Sequence, residues 1–322
     1  ETVSPVFARI GSAISDVETL VSVCSSVAHA STVRELLLGM GAREPNLRFA
    51  IAPSNDTWAR DHGPLTTLCG DRAILNDFDF NGWGGRFDAA LDSQITAELH
   101  ALGAFGTVER RATDLVLEGG AIETDGDGTL LATRHSIVSE SRNPGLTQQE
   151  VERRLTELLG LERLLWLEHG AISGDDTDGH IDTLARFADR ETILYATAPT
   201  GDADHEALSA MADELRAMRT ASGRPYALQA LPFPGVHRDH DGRRLPATYA
   251  NFLLINDAVL LPTYGVAQDA EAHDILQCAF PRRSIIGIDC REIIRQNGSL
   301  HCLTMQFPAQ VGLNDTLAYS AA

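Results

Sequence analysis

Residues 174–196 read GDDTDGHIDTLARFADRETILYA. A carboxylate-rich loop runs to Asp182. Two short apolar runs follow, Thr183 to Phe187 and Thr192 to Ala196, parted by Asp189-Arg190. This is a β-hairpin signature, with charged groups delivered just ahead of the first strand. His180 and Asp182 are two residues apart, and on a strand they would share one face and address one ligand.

The same order recurs along the chain: helix, short strand, polar loop, hairpin. Helices are expected over Thr32 to Met40, Asp92 to Leu102, from Thr147, over His205 to Ala221, and over Ala270 to Ala279. Thr147 with Glu150 three residues on is a capping-box pattern. Strands are expected at Leu47 to Ala52, Leu164 to Leu167, Tyr226 to Leu231 and Ile285 to Asp289. Further hairpins are expected at Leu65 to Asn76, Ala121 to Thr133 and Asn251 to Leu261, and a last strand from Cys302 to Gln306. Hairpins thus begin at residues 65, 121, 183, 251 and 302. Repeated mixed units of this size can close radially, like a propeller, around a channel. No linker divides the chain, so residues 1–322 are read as one α/β domain, with an open α/β sheet as the competing architecture. Dinucleotide-binding and nucleophile-elbow patterns are absent.

Composition narrows the chemistry. The chain has 322 residues, 43% of them hydrophobic and 22% charged, an ordinary globular balance. No apolar run approaches the ~18 residues of a membrane helix. The net charge of −19 repels phosphate backbones, so neither nucleic acid nor membrane is expected as a partner. All 26 basic residues are arginine. That excludes a P-loop lysine, a Schiff-base lysine and a Ser–Lys dyad. Five cysteines without a Cys-x-x-Cys pair point away from a disulfide framework and toward a reducing cytoplasm. Cys278 and Cys290 lie in apolar stretches and are expected to be packed, inert thiols. Homo-oligomerisation is left open.

The residues just before each hairpin carry the chemistry. They are Trp58, Arg60 and Asp61; Glu118-Gly119-Gly120; Gly174 to Asp182; Tyr249 and Asn251; and Asn297 to Cys302. Each has a plainer reading. Asp61 could pair with Arg60, Glu118 could cap a turn, and Trp58 and Trp83 could be core. The acidic run fails as an EF-hand because Gly174 falls where the first acid is needed. A hydrolytic metal on His180, Asp182 and Asp178 stays open, as does a non-catalytic binding protein. Together, however, a thiol, an imidazole and several carboxylates suit covalent catalysis on a cationic carbon centre. A guanidinium fits, being planar, permanently charged and able to offer parallel N–H donors to a carboxylate.

The stretches Trp58 to Pro64, Phe80 to Gly85, Glu118 to Gly120, Gly174 to Asp182 and Leu300 to Cys302, with Arg244 to Pro246 and Asn251, resemble agmatine deiminases and the related bacterial peptidylarginine-deiminase-type proteins. The resemblance implies the five-bladed α/β propeller of guanidine-modifying enzymes, and hydrolysis of agmatine to N-carbamoylputrescine and ammonia. Other guanidines (peptidyl arginine, free arginine, an unusual metabolite) and amidine transfer to an amine are the alternatives. It implies Cys302 as the nucleophile, forming an amidino-cysteine, and His180 as the acid that protonates the leaving ammonia and then activates water. Asp61 and Asp182 would grip the guanidinium nitrogens, Glu118 would orient His180, and Trp58 and Trp83 would wall the pocket. No metal or organic cofactor is implied. Without substrate, the surrounding carboxylates should keep Cys302 protonated. The sequence departs from the family at Asn297 to Leu300, at Met305-Gln306 and at Arg86. The family's tryptophan-rich N-terminal segment does not precede Glu1, so a missing native N-terminus is expected.

Overall fold

A computed structural model describes residues 3–314. Helix α1 (Ser4–Ser15) leads into β1 (Leu20–Cys24), α2 (Val27–Gly39) and β2 (Leu47–Ile51). A helical turn α3 (Ala59–His62) precedes the hairpin β3 (Leu65–Cys69) and β4 (Arg72–Asp79). After a second turn, α4 (Gly82–Gly85), come α5 (Ile95–Ala101) and β5 (Glu109–Val116). The pattern then repeats through β6 (Ile122–Thr124), β7 (Thr129–Thr133), α6 (Gln148–Leu159) and β8 (Arg163–Leu167). It repeats again through β9 (Ala185–Asp189), β10 (Thr192–Ala196), α7 (His205–Ala217) and β11 (Ala227–Leu231). The last copy is β12 (Leu253–Ile255), β13 (Ala258–Thr263), α8 (Gln268–Ala279) and β14 (Ser284–Asp289).

These strands make five small sheets, and among the described residues none closes on itself. In four of them the hairpin is antiparallel, and the strand after the helix pairs parallel with the hairpin's second strand. Parallel pairing needs a crossover, and the intervening helix supplies it. The structural unit is therefore hairpin–helix–strand, the expected cycle with its starting point moved. The middle strands lie between neighbours and are buried on both faces. Accordingly β7 is buried throughout and β13 nearly so, which is why both read as continuous apolar runs. Among the described residues, the buried apolar side chains fall into five clusters, the largest of which joins the β12–β13–β14 sheet to α1, Trp58, Trp83 and residues of β10 and β11. In α7, Leu208, Met211, Ala212 and Leu215 form a single buried stripe at helical spacing.

Several expectations change. Strand β1 was not anticipated; it pairs parallel with β2 across α2 and makes the one two-stranded sheet. Helix α2 starts at Val27, where Ser26 caps it through the His29 N–H. Helix α7 stops at Ala217 because Met218 turns extended and residues 220–224 form a closed turn. The last strand, Cys302 to Gln306, does not form. The chain turns there instead, with the Thr304 N–H donating to the His301 carbonyl at 3.1 Å. Cys278 is exposed on α8, whereas Cys290 is buried.

The Thr147 cap forms as expected: its hydroxyl accepts from the Glu150 N–H at 3.3 Å. The reciprocal half does not, because the Glu150 carboxylate goes to Arg153 and Arg154. Thr147→Ala should lower stability by about 1 kcal/mol. A urea titration should show the midpoint fall with unchanged slope and unchanged activity; an unmoved midpoint would refute the cap's contribution.

Candidate active site

The loops entering successive sheets bring the candidate residues to one buried place. Asp61 lies in α3, Glu118 follows β5, and His180 and Asp182 precede β9. Cys302 sits in the turn after β14. All five are buried. His180 and Asp182 are not on a strand: residues 181–183 form a 3₁₀ turn, closed by Thr183 N–H and hydroxyl bonds to the His180 carbonyl. The turn achieves what strand alternation was expected to do, since both side chains face the site.

His180 sits between carboxylates on both ring nitrogens. Its Nε2 is 3.0 Å from Glu118 Oε2 and its Nδ1 is 3.6 Å from Asp61 Oδ1. Burial opposes a charge there, but Asp61, Glu118 and Asp182 together outweigh it and raise the His180 pKa to about 9. Asp61 accepts the Gly120 N–H at 2.9 Å on one oxygen and the Trp83 indole N–H at 2.8 Å on the other. Its suspected pairing with Arg60 is absent. The Arg60 guanidinium turns instead to the His301 carbonyl, Met305 and Gln306, tying α3 to the turn that holds Cys302.

Burial raises the Asp182 pKa to about 7; His180 pulls it down and Asp61 pushes it up. Asp182 Oδ2 lies 2.8 Å from His301 Nδ1 and 3.7 Å from Cys302 Sγ. Asn251 Nδ2 lies 3.3 Å from the same sulfur. Burial, then Asp182 and Asp61, hold the Cys302 thiol well above its ordinary value. A buried thiol facing carboxylates stays protonated until a cation arrives.

Trp83 has a left-handed backbone, φ 56° and ψ 54°, which aims its indole at Asp61. Its ring meets Phe80 and Phe87 edge-on, with centroids 5.0 and 5.6 Å away. Trp58 packs on Gly298, where an added Cβ would lie 2.3 Å from the indole. Asp178, once considered for a metal, is committed to Arg142 and Arg86. Among the described residues no three His, Cys, Asp or Glu side chains are grouped to hold a metal ion.

Two contributors had no assigned role in the sequence. Arg142 is buried and donates its Nε to both Glu118 oxygens, at 2.9 and 2.8 Å. It also reaches Asp178 Oδ2 at 2.7 Å and the Thr177 carbonyl at 3.0 Å. Ser141-Arg142-Asn143 reads as an ordinary polar loop, so nothing local marks it. His301 adjoins Cys302, and only its partners reveal that it contacts Asp182.

A family model described as Porphyromonas-type peptidyl-arginine deiminase matches residues 1–308. The agmatine deiminase of Ectopseudomonas mendocina (strain ymp) is 32% identical over 331 residues, covering 95% of this chain and 87% of that protein. A solved Porphyromonas gingivalis structure, provisionally named an arginine deiminase, has a TM-score of 0.91 at 47% identity, covering 96% of this chain and 91% of its own. The agmatine deiminase of C. jejuni, solved with substrate bound, has a TM-score of 0.84 at 34% identity, covering 94% and 86%.

Gly120 sits where the site is tightest. A Cβ there would lie 2.6 Å from His180 Nδ1, 2.8 Å from Asp61 Oδ1 and 3.2 Å from Asp182 Oδ2. Gly120→Ala should displace all three and abolish turnover while the protein still folds. Circular dichroism and a turnover assay check this, and near-normal activity would show that the site tolerates the methyl.

Proposed function

Because the chain belongs to the Porphyromonas-type peptidyl-arginine deiminase family, we propose that it hydrolyses a guanidinium group through Cys302, with agmatine as substrate and N-carbamoylputrescine and ammonia as products. The observation that carries this reading is the enclosure of one thiol and one doubly carboxylate-flanked histidine by Asp61, Asp182 and Glu118. Asp61 and Asp182 beside the thiol, with Glu118 behind the histidine, repel an anionic electrophile and complement a planar cation. The five sheets are read as five blades of one catalytic domain, with the site residues gathered at one end of the shared axis.

The steps follow from the groups present. A guanidinium between Asp61 and Asp182 brings positive charge to Cys302, which lowers the cost of releasing the thiol proton to water. The thiolate attacks the central carbon. The C–N bond breaks as His180 gives its proton to the departing ammonia, leaving an amidino-cysteine. Water, deprotonated by His180, adds to that carbon. The C–S bond then breaks, freeing the ureido product and the thiolate. Glu118 steadies the imidazolium by its bond to Nε2.

The tail preference rests on charge. The arginines around the site are engaged: Arg60 with residues 301–306, Arg142 with Glu118 and Asp178, Arg186 with Glu123, and Arg86 with Asp178. A free amino acid's carboxylate would have to break one of these pairs. The loop before His180 also carries Asp175 and Asp176 beside the arginine-paired Asp178, which favours a cationic tail.

Agmatine, free arginine and a blocked arginyl peptide, assayed side by side for ammonia and ureido product, test the reading. Agmatine should be turned over, and Cys302→Ser should reduce the rate by at least about a thousandfold with binding largely kept. Activity above a few per cent in the variant would remove Cys302 as nucleophile. Preferential turnover of the peptide would replace agmatine with a peptidyl substrate.

The pH dependence of kcat/KM should be bell-shaped. On the acid side, Asp182 gains a proton as pH falls through about 7, and its hold on the guanidinium is lost. On the basic side, His180 loses its proton as pH rises through about 9, and the leaving ammonia loses its acid. The coupled site would show these as two apparent values. A profile flat from about pH 6 to 10 would contradict both assignments.

A further inference from the structure

Asp182 is used unevenly. One oxygen, Oδ2, is held by His301 Nδ1 at 2.8 Å. The other, Oδ1, is buried and has no hydrogen-bond partner among the described residues. Buried carboxylate oxygens are ordinarily paired, so this open one is free to take an N–H donor from a ligand, while Oδ2 is the oxygen 3.7 Å from the Cys302 sulfur. Something must stop the carboxylate rotating to share that oxygen with its own neighbours.

His301 meets that requirement. Its Nε2 lies 3.2 Å from Arg186 Nη2. A guanidinium can only donate, so Nε2 is the acceptor and the ring proton resides on Nδ1, pointing at Asp182. Burial, with Arg186 and Arg60 close by, keeps the His301 pKa well below its usual value, so the ring carries that single proton. Arg186 is itself immobilised. It donates to Glu123 Oε2 at 2.7 Å and to the carbonyls of Ala250 and Phe252 at 3.2 and 2.8 Å. Its guanidinium also lies 4.7 Å from the Phe252 ring centroid. On the other side, the His301 backbone N–H donates to Asn251 Oδ1 at 2.9 Å, and Asn251 contacts the Cys302 sulfur.

We propose that His301 is a positioning residue: Arg186 fixes its tautomer, and its Nδ1–H holds one oxygen of Asp182 so that the other remains open to the substrate guanidinium. The chain Glu123–Arg186–His301–Asp182 thereby carries rigidity from the sheets into the binding face. The proposal rests on the guanidine-hydrolase reading of the site.

Two conservative variants separate this role from general packing. His301→Asn places an amide N–H near the Nδ1 position and can still hold Asp182. His301→Gln reaches toward Arg186 and leaves Asp182 unheld. With agmatine, His301→Gln should raise KM at least about tenfold with a smaller change in kcat, and His301→Asn should stay within about threefold of wild type. Equal KM values in the two variants would overturn the proposal. Should either variant misfold, nitrogen-15 NMR of wild-type imidazoles decides: the Nδ1–H tautomer at His301 supports it, and the Nε2–H tautomer or an imidazolium overturns it. A wild-type protein idle on every guanidine would instead sink the hydrolase reading, and this outcome is distinct from active wild type with indistinguishable variants.

Discussion

The site depends first on a buried ion pair. Glu118 and Arg142 have fully enclosed side chains, and the guanidinium Nε sits between both carboxylate oxygens. Water has no access to either side chain, so each group's buried charge is offset by the other rather than by solvent. Removing one partner of such a pair typically costs about 3–5 kcal/mol, since the survivor stays buried and uncompensated. The pair also has reach. Arg142 ties the loop before β9 to Glu118 through Asp178 and Thr177, and Glu118 in turn holds His180. One cation therefore ties together two neighbouring sheet entries at the point where His180 stands.

Around that pair the protein accepts local disfavour for the sake of chemistry. Asp182 is buried deeply enough to bind protons near neutrality, and Cys302 is held as a thiol first by burial and then by Asp182 and Asp61. Trp83 adopts a left-handed backbone without being glycine, a conformation that costs on the order of 1–3 kcal/mol. The first two are electrostatic, and a planar cation between the carboxylates would offset both; the Trp83 backbone is a separate, conformational cost. In the proposed reaction, affinity for the cation and release of the Cys302 proton would thus share one electrostatic source.

Much of this was legible in the chain. Alternating runs and turn residues located the hairpins β3–β4, β6–β7 and β12–β13 to within a few residues, because turn chemistry and apolar strands are local signals. Asp61, Glu118, His180 and Asp182 stood out because they recur just ahead of successive hairpins, and Cys302 because it opens an expected last strand that the structure replaces with a turn. What escaped was non-local. Strand β1 is short and half exposed, and it exists through its pairing with β2. The turn at 301–304 replaces a strand because Arg60, 241 residues earlier, binds its backbone and the side chains beyond it. Arg142 sits in a loop with no local pattern at all; its importance lies in which carboxylates fold against it. Cys278 looked apolar by its neighbours in sequence but lies on the outward side of α8.

The separate apolar clusters carry a further consequence. The β1–α2–β2 region has a small apolar cluster of its own, so it can open as a separate cooperative unit. The β1–β2 pair is the smallest and has the fewest strands to hold it. The loop that leaves β2 carries Trp58 and Asp61. Fraying of that one pair would disassemble the catalytic centre while most of the molecule kept its secondary structure. On heating, function should therefore be the first property to fail.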